Sequence, residues 1–400
     1  MGGAEAVHPD RAAAELTRAT GIPAPELETR RQRLLEHAGT PVVLFDQAYI
    51  QYYTGFNFLS NERPVVVVVG DELTAFVPEF EVARTEEEGN FDRVESYPEY
   101  PGPEHPMRLL ARLLEGPVAA DQDGYPGILG YEGPALSEVT GRPVETLQPF
   151  VESQLRRKSP AEVELIRESG RWCSYAHRLL QRYSTAGATE AEASLRAGHE
   201  ATLAMLDALG ADYAGQLGSQ DGATAGYRGQ IGRRSAWAHA VAHNIRFEPG
   251  DMLVSETAAP VWGYNAELER GMVVGEPTGE QRRLFEHTVA AQQVAFDALR
   301  PGVTCADVDR AVLDYFDENG IRDLWRQHTG HGIGLRNHEA PFLDVGDDTP
   351  VEPGMVFTIE PGVYREGLGG FRHSDTVVVT DDGLELLTDY PRDLESLTIR

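Results

Sequence analysis

Histidines and a glutamate crowd one stretch of this 400-residue chain. The run His328-Thr-Gly-His331-Gly-Ile-Gly-Leu-Arg-Asn-His338-Glu-Ala-Pro is followed by Thr358-Ile-Glu360-Pro-Gly. Imidazoles and carboxylates ligate metal ions or move protons near neutral pH, and the interleaved glycines let backbone pass close to a ligand. A second group, Glu256, Glu267 and Glu269, lies upstream. Side chains alternate along a strand, so Glu267 and Glu269 share one face while Leu268 and Arg270 share the other. Such a cluster cannot stay fully ionised without positive company, which a metal, a cationic substrate or Arg372 would supply. His243, shortly before Gly250-Asp251, belongs to the residue type that titrates near neutrality and can shuttle a proton.

The elements that must hold these groups are legible in the pattern. Glu26 to His37 has helical spacing. Pro41 to Phe45, Val65 to Val69 and Leu73 to Val77 read as buried strands, the last two joined as a hairpin at Asp71-Glu72. Strands then alternate with helical pieces such as Met107 to Leu114, which predicts an α/β domain. The Pro- and Gly-rich stretch from Tyr97 to Pro106 reads as a loop. Ser159-Pro-Ala-Glu162 is a capping box with proline at the first helical position and predicts a helix from Pro160 to about Gln181. Thr189-Glu-Ala-Glu192 starts another, and helices follow over Gly279 to Leu299 and Thr304 to Asn319. Helical pairs mixed with short strands make the second domain α+β. The expected divisions are an extension over 1–24, a first domain over 25–152 and a second over 153–400.

Composition narrows the class. The net charge is −29, with 64 acidic against 35 basic residues, and Lys158 is the only lysine. Such a surface repels nucleic acid and anionic membranes, which excludes both as expected partners. It suits a cytosol at high salt, where ions screen self-repulsion; a GC-rich genome would explain the missing lysines but not the acid excess. Two cysteines, Cys173 and Cys305, form no disulfide framework and fit a reducing cytoplasm. No run reaches the roughly 18–20 apolar residues of a membrane span.

The chemical motifs resemble those of the pita-bread superfamily, which includes methionine aminopeptidase, aminopeptidase P, prolidase and creatinase. Besides the histidine run, Gly263-Tyr-Asn-Ala-Glu267-Leu-Glu269-Arg270 is similar to that family's hairpin, Gly-Tyr-x-x-Asp-x-Thr-Arg. Phe371-Arg372-His373-Ser374-Asp375-Thr376 is similar to its closing strand. Tyr53-Thr-Gly-Phe56 and Asn61-Glu-Arg-Pro64 resemble its lead domain, so the likeness spans about residues 25 to 395. The resemblance implies an α/β lead domain, a pita-bread catalytic domain, a hydrolase of a C–N bond and a homodimer.

It also implies site roles. Glu256 and Glu267 stand where the metallopeptidases have aspartates that bind two metals; His331 and Glu360 match two further ligands. The fifth, a bridging glutamate, falls on Ser374. An added methylene moves a ligand oxygen by more than the roughly 0.2 Å tolerance of metal sites, and a hydroxyl poorly replaces a carboxylate on a hard cation. The expectation is one divalent ion (Mn, Co, Zn or Fe) at Glu267, His331 and Glu360, with or without Glu256, or none. His243 matches the histidine that contacts substrate in the peptidases and moves protons in creatinase, and His338 the one that donates to the scissile carbonyl. His239 is assigned a structural part, His328 an outer place, and Tyr264 a packing role. Creatinase, which uses no metal, reads Gly-Tyr-x-x-Ala-Leu-Glu-Arg at the hairpin, and its glutamate there grips a guanidinium. Glu269 takes that position and, with Arg372, is expected to bind substrate, although creatinase's second such glutamate falls on His373. Three readings follow. One is an Xaa-Pro peptidase-like metallohydrolase using His243, His338 and Glu360. The second is a metal-independent, creatinase- or ectoine-hydrolase-like enzyme acting on a small cationic substrate. The third is a non-enzymatic peptide-binding relative.

Overall fold

The computed structural model describes residues 21–125, 130–210 and 222–400, so the expectation of a distinct extension over 1–24 lies almost wholly outside the described residues. The chain divides into two compact units, one within 21–155 and one over the described residues from 156 onward.

The first unit contains α1 (Ala24–Ala38), β1 (Val42–Leu44), α2 (Gln47–Thr54), β2 (Val66–Val69), β3 (Leu73–Pro78), α3 (Val82–Glu88), β4 (Arg93–Tyr97), α4 (Pro106–Leu113), β5 (Ala119–Ala120), α5 (Leu136–Thr140), β6 (Glu145–Thr146) and α6 (Gln148–Leu155). Its strands form a mixed sheet in the order β4-β3-β2-β1-β5-β6. The hairpin at Asp71-Glu72 pairs Val69 with Leu73. The β-branched run packs as predicted: Val43, Phe45, Val66 and Phe76 are buried with Tyr97, Met107 and Leu110 in one core. Asp121 ties the end of β1, accepting backbone N–H groups of Phe45 at 3.0 Å and Asp46 at 2.8 Å.

The second unit begins with α7 (Pro160–Tyr183) and α8 (Glu190–Leu209). Both capping boxes form: Ser159 accepts the Glu162 N–H, and Thr189 that of Glu192, at 3.3 Å each. The rest comprises β7 (Thr224–Gly226), β8 (Met252–Val254), β9 (Glu256–Ala258), β10 (Glu267–Glu269), β11 (Gly271–Val274), α9 (Gly279–Ala298), α10 (Cys305–Glu318), β12 (Gly330–Gly332), β13 (Glu339–Leu343), β14 (Val356–Ile359), β15 (Gly362–Arg365), β16 (Gly369–Arg372), β17 (Ser374–Thr380), β18 (Gly383–Leu386) and β19 (Thr398–Ile399). The main sheet is antiparallel, in the order β13-β12-β14-β17-β10-β9-β7, with β18 on β17. Helix α7 packs on β9 and β10: Ser169 accepts the Ala266 N–H at 2.8 Å and Thr257 donates to the Cys173 carbonyl at 3.2 Å. This is the α/β plus pita-bread architecture that the motifs imply.

Two buried ion pairs brace the sheet away from the chemistry. Arg270 donates to Asp375 at 2.8 Å and to the carbonyls of Ser374, Tyr390 and Pro391. Lys158 donates to Glu339 at 2.8 Å, with both side chains nearly sealed from solvent. Among the described residues, no helix is long and apolar enough to cross a membrane.

Candidate active site

Register brings the acidic cluster together. Strands β10 and β17 pair with Glu269 opposite Ser374 and Leu268 opposite Asp375. Alternation then sends Arg270 and Asp375 to one face and Glu267, Glu269 and Ser374 to the other. On the next strand out, Ile359 pairs with Asp375, so Glu360 emerges beside this acidic face. Strand β12 supplies His331. It can lie this close to β14 only because residue 330 is glycine: a Cβ there would sit 2.0 Å from the Thr358 carbonyl oxygen.

Side-chain contacts fix each group. The His331 ring places Nδ1 2.9 Å from the Gly332 carbonyl and Nε2 3.0 Å from Glu360 Oε1. Ser374 donates its hydroxyl to Glu267 Oε1 at 2.8 Å. Arg372 grips Glu269 with two groups, Nη2 at 2.5 Å from Oε1 and Nε against Oε2, and its Nε lies 3.9 Å from Glu360 Oε2. Arg372 also donates to the Tyr364 hydroxyl at 3.1 Å. Tyr364 in turn donates to Gln327 Oε1 at 2.6 Å, and Gln327 Nε2 reaches the Glu360 carbonyl at 2.9 Å and Glu360 Oε2 at 3.3 Å. His338 stacks on His331 with ring centres 3.8 Å apart and planes 14° from parallel. His328 approaches His331 edge-on at 6.0 Å.

These contacts set the charges. Burial pushes the Glu267 carboxyl well above its ordinary range, and Glu360 and Glu269 add to the push. Burial also raises Glu269 while Arg372 draws it back. Burial opposes the charge on His331, but the hydrogen bond and negative charge of Glu360 prevail and hold its pKa at about 9. Burial likewise opposes ionisation of Glu360, and His331 overrides it, leaving the carboxyl at about 2. His338 is driven down to about 4 by burial and by the adjacent His331, so it is neutral at pH 7.

Donor atoms of Glu267, His331 and Glu360 all lie within 4.8 Å of one another, and all three residues are buried. Two carboxylates and an imidazole are a sound donor set for one divalent ion. With Nδ1–H on the Gly332 carbonyl, His331 keeps Nε2 as its ligating atom. A buried carboxyl as reluctant to ionise as Glu267 is also the group that a cation would discharge of its proton. One ion therefore fits. A second finds its carboxylates engaged: Glu269 by Arg372, and Glu256 by Arg228, whose Nη2 contacts Glu256 Oε2.

Other placements differ from the sequence expectations. His243 is exposed, and its backbone N–H donates to Glu190 Oε2 at 3.2 Å. His239, assigned a structural part, is exposed too, but it comes close enough to His338 to add the smallest of the contributions that lower that ring's pKa. The cause is local: residues 237–245 have no helical or strand period that would tell which of two histidines, four apart, comes closer to His338. His373, which stands at the position of creatinase's second substrate-binding glutamate, lies away from Glu269. It accepts the Gly271 N–H at 3.1 Å on the opposite face and packs edge-on against Phe285. Tyr264 does pack the hairpin, donating to Glu162 at 2.9 Å. Gln327, Tyr364 and Arg228 also belong to the site, though no motif marks them. Gln327 sits beside His328 in the histidine run and could have been suspected there; Arg228 carries no motif signal.

Known proteins match this chain in sequence and in fold. A family model described as metallopeptidase family M24 matches residues 164–381, and one described as the creatinase/prolidase N-terminal domain matches residues 27–137. The Xaa-Pro dipeptidase of Pyrococcus furiosus is 28% identical over 355 residues, covering 87% of this chain and 95% of that enzyme. Among solved structures, the prolidase from Pyrococcus horikoshii OT3 superposes with a TM-score of 0.76 at 25% identity, covering 92% of this chain and 99% of its own. Dipeptidase PepE from Mycobacterium ulcerans does so at 0.76 and 26%, covering 95% and 100%. Since the first family match takes in more than half of the residues, and relatives and structures align across both units, the chain belongs to metallopeptidase family M24.

Proposed function

We propose that this M24 protein hydrolyses peptide bonds of small Xaa-Pro peptides, with a single divalent ion (Mn, Co, Zn or Fe) held by Glu267, His331 and Glu360. The observation that carries the reading is the convergence of those three buried donors within 4.8 Å, beneath a neutral histidine stacked on His331. Similarity to Xaa-Pro dipeptidases along nearly the whole chain supports the substrate class.

The residues divide the work as follows. A divalent ion held by Glu267, His331 and Glu360 would supply Lewis acidity for water and carbonyl. Glu360, ionised at neutral pH, takes the proton from attacking water and returns it to the departing nitrogen. Gln327 holds Glu360 through both its carbonyl and its carboxylate, which fixes the aim of the accepting oxygen. His338 can offer a ring N–H to the developing oxyanion without adding charge beside His331. His239 is the second histidine proposed to face substrate, in place of His243. The Glu269–Arg372 pair walls the site, with Arg372 Nε 3.9 Å from Glu360 Oε2.

The metal-independent reading needs Glu269 free to grip a substrate cation. Both of its oxygens are engaged by Arg372, which favours the metallohydrolase. The buried, unpaired thiols of Cys173 and Cys305 support a reducing cytoplasm, and the acid excess supports a salty one. A homodimer remains part of the proposal on family likeness.

The test is hydrolysis of an Xaa-Pro dipeptide panel by protein stripped with chelator and then titrated with Mn or Zn. Turnover should rise to a plateau at one ion per chain. Full turnover in stripped protein would return the weight to metal-independent chemistry.

A further inference from the structure

Arg228 lies beyond every motif, yet its guanidinium reaches the acidic cluster. Strand β7 pairs with β9 so that Gly226 stands opposite Glu256. The chain then turns tightly, with the Gln230 N–H on the Tyr227 carbonyl at 2.8 Å and the Ile231 N–H on that of Gly229 at 2.9 Å. Arg228 takes φ 49 in this turn, a left-handed conformation that disfavours residues with a side chain. The turn is clamped on both sides. Tyr227 is fully buried edge-on against Phe247. Gly229 donates its N–H to Glu190 Oε1 at 2.6 Å and lies where a Cβ would meet the Val241 carbonyl oxygen at 2.1 Å. The turn fixes the Arg228 backbone, and its side chain, 45% exposed, reaches across to Glu256, with Nη2 3.6 Å from Glu269 Oε1.

We propose that Arg228 is a built-in cation that takes the place of a second metal ion, bridging Glu256 and Glu269 and restricting the site to the single ion at Glu267, His331 and Glu360. The inference rests on the one-ion reading above. The cluster splits into two charge-balanced halves. Glu256 and Glu269 meet guanidinium groups from Arg228 on one side and Arg372 on the other. Glu267, His331 and Glu360 face one another. Glutamates suit this arrangement. A metal requires its ligand oxygens within about 0.2 Å of set distances, whereas a guanidinium spreads its charge over a fork of donors and tolerates a longer, more variable reach. The Ser374 hydroxyl fits as well, because it adds no carboxylate for a second ion and spends its proton on Glu267.

The test measures Mn bound per chain by calorimetric titration and elemental analysis, in molar KCl, for wild type, Arg228→Lys and Arg228→Gln. Glutamine would hold the same backbone strain without the charge. Expected are one ion in wild type, one in Arg228→Lys, and a second, weaker ion in Arg228→Gln. One ion in all three overturns the role of Arg228 and leaves the one-ion reading intact. No ion in wild type but one in Arg228→Gln refutes the one-ion reading and upholds exclusion by Arg228. Two ions in wild type overturn the proposal outright. Should Arg228→Gln fail to fold, Arg228→Ala refolded with guanidinium ion gives a second measure. Millimolar guanidinium should displace the weaker ion and spare the tighter one, and absence of that competition refutes the proposal.

Discussion

Removing Arg372 should unsettle the catalytic unit more than most single changes. Its side chain and that of Glu269 are each about sealed, at 3% and 2% exposure, and bind each other through two charge-assisted hydrogen bonds. Arg372→Met keeps the apolar stem but takes both hydrogen bonds from Glu269, leaving it only the longer 3.6 Å approach of Arg228 beside Glu360 and Glu256, whose charges already oppose its ionisation. Breaking a buried pair from one side costs about 3–5 kcal/mol. At about 2–4 °C per kcal/mol for a unit of this size, Tm should fall by roughly 6–20 °C. Part of the loss is avoidable, because Glu269 can take up a proton; the penalty should shrink at pH 5 and grow at pH 8. The double variant Arg372→Met/Glu269→Gln removes the stranded charge and should recover about 2 kcal/mol relative to Arg372→Met alone. Urea unfolding of wild type, both singles and the double at pH 5, 7 and 8 closes the cycle. A loss below about 1 kcal/mol for Arg372→Met, the range of an exposed pair, would refute the reasoning. So would a double variant no more stable than the single.

Turnover should separate the two candidate histidines: His239→Ala should lower kcat by about 10²-fold or more, the scale of a lost acid–base or oxyanion group, while His243→Ala stays within a few-fold. The reverse order would restore His243. In chelator-stripped protein, the His331–Glu360 pair should stabilise fully between about pH 4.5 and 6.5, the ordinary pKa values of the two groups, and weaken as pH rises through 9 and His331 loses its proton. It should weaken again as pH falls toward 2 and Glu360 is protonated; a Tm difference between wild type and Glu360→Gln that stays flat from pH 6 to pH 10 would contradict this. Tm should also climb as KCl goes from millimolar to molar, because the screening length shrinks from ~30 Å at 0.01 M to ~3 Å at 1 M, and salt-insensitive unfolding would leave base composition as the account of the −29 charge.

Where local chemistry decides structure, the sequence was sufficient. Ser159-Pro160 and Thr189 start α7 and α8 because their hydroxyls cap the first turn whatever the tertiary setting. Period-two alternation places Glu267 and Glu269 on one face without reference to any partner strand. Partnerships across long separations were not legible in this way. Three kinds of cation could have answered Glu269, and only the register of β10 on β17, which carries Arg372 to it, selects one. Arg228 is brought to Glu256 by the β7–β9 pairing and a left-handed turn, neither of which leaves a mark in spacing. His239 and His243 sit in an irregular segment, where nothing short of the folded loop says which ring comes closer to His338.

Lys158, paired with Glu339 behind the histidine run, has a practical consequence for labelling and cross-linking chemistry. It is the chain's sole side-chain amine, so amine-directed esters and aldehydes find no lysine on the folded surface. Acylation of Lys158 must wait until the start of α7 parts from β13. Its rate is then a clock for that opening, read from one site without any introduced probe.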